Sequence, residues 1–212
     1  MINRVKCQSL FTLTDFLFRP IFDDVIYPWE ILSKLREILE TLTSCGIDGY
    51  HRLCDGVLVG DNVRIAESAR IEGPTIISDG CDIRHSAYIR GSVILGKGCV
   101  IGNSSEIKNS ILMDGAQAPH FNYVGDSILG KGAHLGAGAI CSNLRSDKRS
   151  VVIKDNKSSI ETGLRKLGAI LGDGVEVGCG AVLCPGTVIG KSSTVYPLTM
   201  ARGVYPERSI IR

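Results

Sequence analysis

The sequence contains few aromatic residues and no long apolar run. Aromatic residues make up 6% of the 212 residues, whereas glycine occurs 25 times. This composition argues against a broad aromatic core and favours a narrow, regular interior. The net charge of +2 gives no general attraction for nucleic acid or membrane surfaces, and no apolar run is long enough to span a bilayer. The first residues mix charged and polar side chains with apolar ones, so no secretion signal is expected.

The eight cysteines lack the spacing of a metal site or a redox pair, because no two of them form a CxxC motif. Cys81 and Cys99 each stand at the fifth position of a six-residue unit, which other units fill with Val, Ala or Thr. We interpret both as small inward-pointing residues, since a free cysteine packs like a small hydrophobic side chain. The pattern favours a reduced protein of the cytoplasm.

An aliphatic residue recurs at every sixth position, a period that fits neither an amphipathic helix nor an ordinary strand. The period is typical of a hexapeptide-repeat parallel β-helix. Parallel crossovers are usually right-handed. The hexads of this sequence, however, resemble those of proteins whose β-helix is left-handed. We therefore expect a mainly β fold, a left-handed parallel β-helix with three hexads per coil. The inward-pointing row is Val59, Ile65, Ile71, Ile77, Ile83, Ile89, Leu95, Ile101, Ile107, Met113, then Tyr123, Leu129, Leu135, Cys141, then Leu171, Val177, Leu183, Ile189 and Val195.

The chain divides into a different N-terminal part, the repeat domain and a short tail. The predicted segments are a helical cap and linker over 1–56, the β-helix over 57–200 with a loop insertion at 142–170, and a C-terminal tail over 201–212. The eighteen regular hexads of the repeat domain predict six coils. Long loops on a rigid scaffold are often functional, so the insertion is a candidate site.

The N-terminal part contains one predicted amphipathic helix. Apolar residues recur every three or four positions over about 29–43, after Pro28 and before the stop signal Gly46. Such a helix either packs on the side of the repeat domain or covers the open N-terminal end of the β-helix. We expect the second arrangement, because open strand edges need covering.

The repeat is interrupted by a four-residue slip between Met113 and Tyr123. His120 lies in this break, and an inserted bulge is expected to lift its imidazole off the wall of the coil. An imidazole is suited to act as a general base near neutral pH. The other histidines, His51, His85 and His134, are interpreted as linker or surface residues.

Two basic residues are predicted to stack in adjacent coils. Arg90 and Lys108 each follow the first aliphatic residue of a hexad and are separated by three hexads, which make one coil. Their backbones should therefore lie about 4.8 Å apart. Like charges in this position repel unless something relieves them. Either the pair binds an anion, most simply a phosphate, or Glu72 and Glu106 neutralise it.

The segments around His120 resemble a known family. APHFNYVGDSILGKGAHLGAGAICSNLRSDK, followed by GLRKLGAILGDGVEVG, resembles the acetyltransferase domain of glucosamine-1-phosphate acetyltransferases. This domain is found in bifunctional N-acetylglucosamine-1-phosphate uridylyltransferase/acetyltransferases and in archaeal-type sugar-1-phosphate nucleotidyltransferases. The resemblance covers about residues 57–200.

The resemblance implies a role for particular residues. It makes His120 the base that accepts a proton from the sugar amine. It implies substrate binding by Arg90, Lys108, Tyr123, Asn143 and Lys148, and contacts with acetyl-CoA by Ala137 and Cys179. It also implies acetyl-CoA as co-substrate, no metal in the acetyl transfer, and a homotrimer.

The sequence departs from the family pattern in several places. Leu144 stands where the bacterial enzymes have Tyr, His134 stands where they have a substrate-contacting Asn, and Cys179 replaces a Ser. A Gly-rich nucleotide-binding segment is missing near the N-terminus, so this chain is not expected to form a UDP-sugar by itself. A separate uridylyltransferase could then act as its partner.

These features predict an acetyl-CoA-dependent N-acetyltransferase in UDP-N-acetylglucosamine and cell-envelope precursor synthesis. The expected reaction converts glucosamine 1-phosphate to N-acetylglucosamine 1-phosphate. The alternatives are transfer to another amino sugar, including a nucleotide-linked one, and a non-catalytic module for sugar-phosphate binding or assembly. A zinc enzyme of the γ-type carbonic anhydrase kind is disfavoured, because His85, His120 and His134 lack that family's His-x4-His spacing.

Overall fold

The computed structural model describes residues 2–154 and 158–212, most of which wind into a parallel β-helix of three sheets. Each coil contributes one short strand to each sheet. Sheet 1 contains His51–Cys54, Val57–Val59, Thr75–Ile77, Val93–Leu95, Ser110–Leu112, Ile128–Leu129, Ala169–Leu171, Thr187–Ile189 and Val204–Tyr205. Sheet 2 contains Arg64–Ile65, Asp82–Ile83, Val100–Asn103, Gln117–His120, His134–Leu135, Glu176–Val177, Thr194–Val195 and Ile210–Ile211. Sheet 3 contains Arg70–Ile71, Tyr88–Ile89, Glu106–Lys108, Tyr123–Gly125, Ile140–Cys141, Val182–Leu183 and Met200–Ala201.

The fold class predicted from the six-residue period is confirmed. Inward-pointing residues such as Ile77, Ile83 and Ile89 are at most 1% exposed and belong to one continuous interior cluster. Cys81 and Cys99 lie in the same cluster, as expected of small fillers. The described residues form about eight coils rather than the predicted six, because irregular units that the hexad count leaves out also coil.

The predicted four-residue slip around His120 is wrong. The interior row runs from Ile107 to Leu112, Ala118, Val124 and Leu129, while Met113 points outward. Two five-residue steps, from Ile107 to Leu112 and from Val124 to Leu129, therefore replace the expected insertion. The adjacent Leu112 and Met113 are both aliphatic, so a strict count of six follows the wrong one. His120 ends a regular strand and pairs with Asn103 instead of forming a bulge.

A serine closes each five-residue step. Ser110 Oγ donates to Lys108 O at 2.7 Å and accepts the backbone N–H of Ser127 at 3.1 Å. In the next coil, Ser127 Oγ donates to Gly125 O at 2.8 Å and accepts the N–H of Ala169 at 3.0 Å. Each hydroxyl thus satisfies backbone groups that the shorter corner leaves without a regular partner.

The β-helix also continues beyond its predicted end at residue 200. Val204–Tyr205 pairs with Thr187–Ile189, and Ile210–Ile211 pairs with Thr194–Val195. Tyr205 follows Ile189 in the stack of sheet 1, and it comes earlier in the chain than a full coil of three hexads would place it. The regular period fails there, so the sequence alone predicted a tail.

The N-terminal segment lies along the outer face of sheet 1, not over the end of the β-helix as expected. Its buried residues, including Phe11, Trp29 and Leu39, form one cluster with outward-pointing sheet residues such as Ile76 and Ile94. The open edge of sheet 1 is covered instead by the strand His51–Cys54, which pairs antiparallel with Val57–Val59. The sequence does carry the signal for this arrangement. The outward position of sheet 1 is apolar in successive coils, at Leu58, Ile76, Ile94, Ile111, Ile128, Ile170 and Val188.

The segment contains only short helices. Two 3-10 helices, Ile2–Val5 and Arg19–Phe22, accompany α-helices Cys7–Leu10, Trp29–Leu32 and Leu35–Cys45. The predicted helix over 29–43 is thus present in two pieces, and Gly46 ends the second with a φ of 81°. None of the helices in the described part of the chain has the length and apolar character needed to cross a membrane.

The insertion after Cys141 carries the antiparallel hairpin Val152–Lys154 and Ser159–Glu161. Residues 155–157, part of the predicted insertion, lie outside the described residues. The chain rejoins the β-helix where the N–H groups of Leu167 and Gly168 donate to Asn143 O and Asp126 O, at 3.0 and 2.8 Å. The insertion is therefore fixed at both ends to one corner of the coil.

Candidate functional site

The predicted base and both predicted acetyl-CoA contacts lie in one row. His120, Ala137 and Cys179 occupy equivalent positions in three consecutive coils, at the corner between sheets 2 and 3. The backbone shows this directly, since Gly138 N donates to His120 O at 3.0 Å and Gly180 N donates to Ala137 O at 2.8 Å. We call these three residues the corner ladder. Its steps measure about 4.8 Å, the spacing of paired strands.

His120 is exposed on a firmly held turn. Its backbone N–H donates to Asn122 Oδ1 at 3.0 Å, and buried Asn122 in turn donates to Gly136 O at 2.8 Å. The next residue, Phe121, has a φ of 51° and is 59% exposed. Within the described residues the imidazole makes no hydrogen bond or ion pair, so both of its nitrogens are available to a ligand.

A second group of polar residues surrounds a buried carboxylate just after the end of the sheet 3 strand Tyr123–Gly125. Asp126, whose side chain is 7% exposed, accepts bonds from Lys108 Nζ at 3.2 Å and Asn109 Nδ2 at 2.8 Å. Asn143 Nδ2 also donates to Asp126 Oδ2. The same amide nitrogen donates to the Tyr123 hydroxyl at 3.1 Å. We call these five residues the Asp126 cluster.

Gly125 makes this cluster possible. A Cβ at residue 125 would lie 2.6 Å from the Tyr123 hydroxyl and 2.7 Å from Asn143 Nδ2. The phenol and the Asn143 amide therefore occupy the space that a side chain at residue 125 would need. Burial raises the pKa of Tyr123, and the nearby charge of Asp126 raises it further. Its hydroxyl is thus protonated at neutral pH and can donate a hydrogen bond.

The predicted stacking of the two basic residues is confirmed. Arg90 N donates to Ile107 O at 2.9 Å, which places Lys108 beside Arg90 in the next coil. Each cation has a carboxylate partner of its own. Arg90 contacts Glu106 at 2.6 Å, and Lys108 contacts Asp126. The hydrogen bond with Glu106 raises the pKa of Arg90.

The structure thus shows the neutralisation that was weighed against an anion site, with one change of partner. Glu72 pairs with Arg70 at 2.9 Å and accepts from the Tyr88 hydroxyl at 3.2 Å, and it forms no ion pair with Arg90 or Lys108. An ammonium has three donors and a guanidinium has five. One carboxylate contact on each therefore leaves donors that can hold a phosphate.

Lys148 does not join the Asp126 cluster. It is exposed, with a φ of 58°, and its side chain makes no hydrogen bond or ion pair within the described residues. Its neighbours Arg145 and Asp147 form an ion pair at 2.6 Å. Both line an open cavity of about 400 Å³ between the insertion and sheet 3, together with Leu144 and Arg202.

The remaining histidines have local partners or lie apart from both groups. His134 Nδ1 lies 3.0 Å from Glu176 Oε2, at the edge of an apolar cleft that also includes Cys179. His85 Nδ1 lies 2.6 Å from Ser68 Oγ, and His51 is exposed. In residues 2–154 and 158–212, no group of three or more His, Cys, Asp or Glu side chains could hold a metal ion.

Sequence reasoning missed Asp126 and Asn109. Both lie one position away from the column of Arg90 and Lys108, on which the predicted anion site was based. A signal was nevertheless present, since Asp126 follows Lys108 by 18 residues, the length of a regular coil, and belongs to the same short motif as His120 and Tyr123. What the sequence did not show was that the corner is shortened, which turns Asp126 towards Lys108.

The coiled six-residue units make the chain a hexapeptide-repeat β-helix protein. Comparison with known proteins gives its family. Residues 71–210 match the model of the family described as the GMPPB C-terminal domain. Because this match covers more than half of the chain, the protein belongs to that family.

Individual relatives match a shorter stretch. A bifunctional sugar-1-phosphate nucleotidylyltransferase/acetyltransferase from Sulfurisphaera tokodaii is 38% identical over 86 residues, which cover 41% of this chain and 21% of the relative. The bifunctional protein GlmU of Methanocaldococcus jannaschii is 37% identical over 81 residues, 38% of this chain and 20% of the relative. The matched stretch thus spans about a fifth of the length of these curated relatives.

Solved structures show a more distant likeness. The acetyltransferase domain of PglB from Neisseria gonorrhoeae FA1090 is 19% identical, with a TM-score of 0.33 over 76% of this chain and 61% of that one. A UDP-N-acetylglucosamine acyltransferase from Campylobacter jejuni is 14% identical, with a TM-score of 0.35 over 70% and 69%. At such values these likenesses do not bear on the activity of the chain.

Proposed function

We propose that the protein is an acetyl-CoA-dependent N-acetyltransferase whose acceptor is an amino-sugar phosphate, most simply glucosamine 1-phosphate. The observation that carries this proposal is the position of the two polar groups. His120 lies before the strand Tyr123–Gly125, separated from it by Phe121 and Asn122, and Asp126 immediately follows the strand. A base and a set of sugar-binding side chains are thereby fixed to consecutive strands of the rigid β-helix.

In the proposed reaction, the amine of the acceptor attacks the thioester carbon of acetyl-CoA. The unpartnered imidazole of His120 accepts the amine proton. The backbone N–H of Ala137 makes no hydrogen bond within the described residues, so it can stabilise the negatively charged oxygen of the tetrahedral intermediate. The thiolate of CoA then leaves as the amide forms.

The Asp126 cluster orients the acceptor in this scheme. The donors that remain on Arg90 and Lys108 hold the phosphate, while Tyr123 and Asn143 contact the sugar. Lys148 reaches the acceptor only from another copy of the chain or after a loop movement, since it lies apart from the cluster in this chain. Cys179 and Ala137 line the path of acetyl-CoA along the corner ladder.

A homotrimer is part of the proposal. The outward row of sheet 3 turns apolar in its later coils, where Ile140, Val182 and Met200 lie in register. Met200 is 69% exposed, and Leu198 on the adjacent corner is 85% exposed. Exposed apolar rows of this kind support self-association.

The proposal places this reaction in the cytoplasm, in the supply of UDP-N-acetylglucosamine, with a separate uridylyltransferase to complete the nucleotide sugar. All eight cysteines are free, which fits a reducing compartment. The names of the relatives, which pair a sugar-1-phosphate nucleotidylyltransferase with an acetyltransferase, support the same cellular role.

The test is release of CoA thiol from acetyl-CoA with a panel of acceptors. The panel contains glucosamine 1-phosphate, glucosamine 6-phosphate, glucosamine and nucleotide-linked amino sugars. We expect turnover with glucosamine 1-phosphate and its loss in His120→Ala. His85→Ala is the matched control, because His85 occupies the same corner two coils earlier, and it should keep full activity.

Other results would change the proposal in defined ways. Turnover only with a nucleotide-linked amino sugar would keep the chemistry and replace the acceptor. Turnover that survives in His120→Ala would refute the assigned base. No turnover with any acceptor would leave a non-catalytic binding or assembly module.

A further inference from the structure

The Asp126 carboxylate is the centre of a row of stacked side chains at the corner between sheets 3 and 1. Asn109, Asp126 and Asn143 occupy equivalent positions in three consecutive coils, and each amide donates through Nδ2 to the carboxylate between them. Lys108 adds a third donor from the side. A carboxylate only accepts hydrogen bonds, so every group around it must present a donor.

This requirement fixes the orientation of Asn143. Its Nδ2 must face Asp126, and the second hydrogen on that nitrogen is directed at the Tyr123 hydroxyl, 3.1 Å away. The Tyr123 oxygen therefore accepts, and its own O–H hydrogen points elsewhere. Asn143 Oδ1 makes no hydrogen bond within the described residues. The pair thus presents one free donor, the phenol, and one free acceptor, the amide oxygen.

The backbone holds this arrangement in place. Asp126 N donates to Lys108 O at 2.9 Å, and Asp126 O accepts from Gly168 at the end of the insertion. Asn143 O accepts from Leu167. The same two residues that set the polarity of the pocket therefore anchor the insertion, so neither can shift along the coil.

We propose that Asp126 is a positioning residue that sets the hydrogen-bond polarity of the acceptor pocket. Through Asn143 it makes Tyr123 a donor and the Asn143 carbonyl an acceptor. The pocket then selects ligands that place a hydrogen-bond acceptor beside a donor, as neighbouring hydroxyl groups or a hydroxyl and an amine of a sugar do. This inference rests on the proposed acetyl transfer for its kinetic test but not for its second test.

The kinetic test is a double-mutant cycle with Asp126→Asn, Tyr123→Phe and the double variant. We expect each single change to lower kcat/KM for the acceptor by about 10- to 100-fold, because misplacing a contact by about 1 Å has effects of this size. The kcat/KM of the double variant should be at most about threefold below that of the less active single variant, since coupled residues do not act additively. Multiplied losses, or a fully active Tyr123→Phe, would overturn the inference.

A merely structural role for Asp126 gives a different result. If Asp126→Asn only reduced the fraction of folded protein, its loss in kcat/KM would be independent of the loss in Tyr123→Phe. The double variant would then show the product of the two losses. Asp82→Asn is the control, because Asp82 also pairs with basic residues, at 2.8 Å from Arg84, but lies on sheet 2 in an early coil. It should leave the kinetics unchanged. Should Asp126→Asn fail to fold, Asp126→Glu keeps the charge, displaces the oxygens, and must show the same non-additivity.

The second test needs no ligand. Alkaline titration of tyrosine absorbance, taken as the difference between each protein and its Tyr123→Phe counterpart, reports the pKa of Tyr123 alone among the six tyrosines. In Asp126→Asn this pKa should rise relative to the wild type, because the Asn143 hydrogen bond that lowers it is no longer held in place, and this loss outweighs the loss of the Asp126 charge. An unchanged or lowered pKa would refute the network, since loss of the charge alone gives a fall. A wild-type protein that transfers no acetyl group but shows this shift would refute the proposed function alone.

Discussion

Gly125→Ala should damage the acceptor pocket without damaging the fold. The new methyl carbon would lie 2.6 Å from the Tyr123 hydroxyl and 2.7 Å from Asn143 Nδ2. Carbon contacts are comfortable at about 3.5–4.0 Å, so both groups must retreat by roughly 1 Å. Gly125 is not among the residues with positive φ, so alanine fits its backbone conformation. The three atoms nearest to the new carbon all belong to these two side chains.

The expected magnitudes follow from these contacts. A displacement of about 1 Å in a positioned group lowers catalytic efficiency by up to about 100-fold, so kcat/KM for the acceptor should fall by about 10- to 100-fold. Stability should change little. Loss of one hydrogen bond removes about 0.5–1.5 kcal/mol, and replacing glycine by alanine restores about 0.4–1 kcal/mol through the unfolded state.

Gly132→Ala is the matched control, with backbone strain in place of a side-chain collision. Gly132 has a φ of 64° and nothing within 4 Å of the added Cβ, so alanine there is strained but meets no side chain. The strain destabilises the native state by roughly 1–2 kcal/mol. Gly132→Ala should therefore lower the melting temperature by a few degrees and leave the kinetics unchanged.

Thiol-release kinetics and scanning calorimetry on the two variants separate these effects. We expect opposite behaviour, with Gly125→Ala slow but stable and Gly132→Ala active but less stable. A Gly125→Ala protein with wild-type kcat/KM would show that the Tyr123 and Asn143 positions do not matter for turnover. Loss of activity in both variants would show that the distinction between collision and strain is wrong.

Two further predictions concern assembly and acid stability. Met200→Glu should convert the proposed trimer to monomers in sedimentation velocity, because it places a charge in the exposed apolar row of sheet 3; an unchanged sedimentation coefficient would contradict this. The backbone hydrogen bond from Asp61 lowers the pKa of Asp79, and Lys97 adds to the effect. A carboxyl with a lowered folded pKa stabilises the fold above its unfolded pKa of about 3.9, and that stability is lost as the pH falls through the folded pKa. The melting temperature of the wild type should therefore exceed that of Asp79→Asn at pH 7, and the difference should disappear in acid. A difference in melting temperature that persists at the lowest pH would refute the assignment.

The regular part of the fold could be predicted from the sequence because an interior of stacked residues leaves its period in the chain. The period predicts inward positions such as Ile83 and Ile101 and the neighbouring coils of Arg90 and Lys108. It fails where two adjacent residues are both apolar. Leu112 and Met113 are indistinguishable by hydrophobicity, and only the serine-closed corner decides which of them points inward.

Interactions that do not repeat from coil to coil could not be predicted from the sequence. The apolar outward residues Ile76 and Ile94 indicate that sheet 1 is covered, but not which segment covers it. In the candidate site, the types of residue suggested base and phosphate contacts, whereas the partner of each cation depends on side-chain direction at a corner. Asp126 could take its place in the site only after the length of that corner was known.

The covered face of sheet 1 limits where anything else can bind. A rod with three flat sides has one of them occupied by its own N-terminal segment, so only sheets 2 and 3 are open along their length. The corner that joins these two open sides carries His120, Ala137 and Cys179. Neighbouring copies that pack along the rod must therefore contact sheets 2 and 3, and an assembly of parallel rods that meet at this corner would enclose the site within the contact between them.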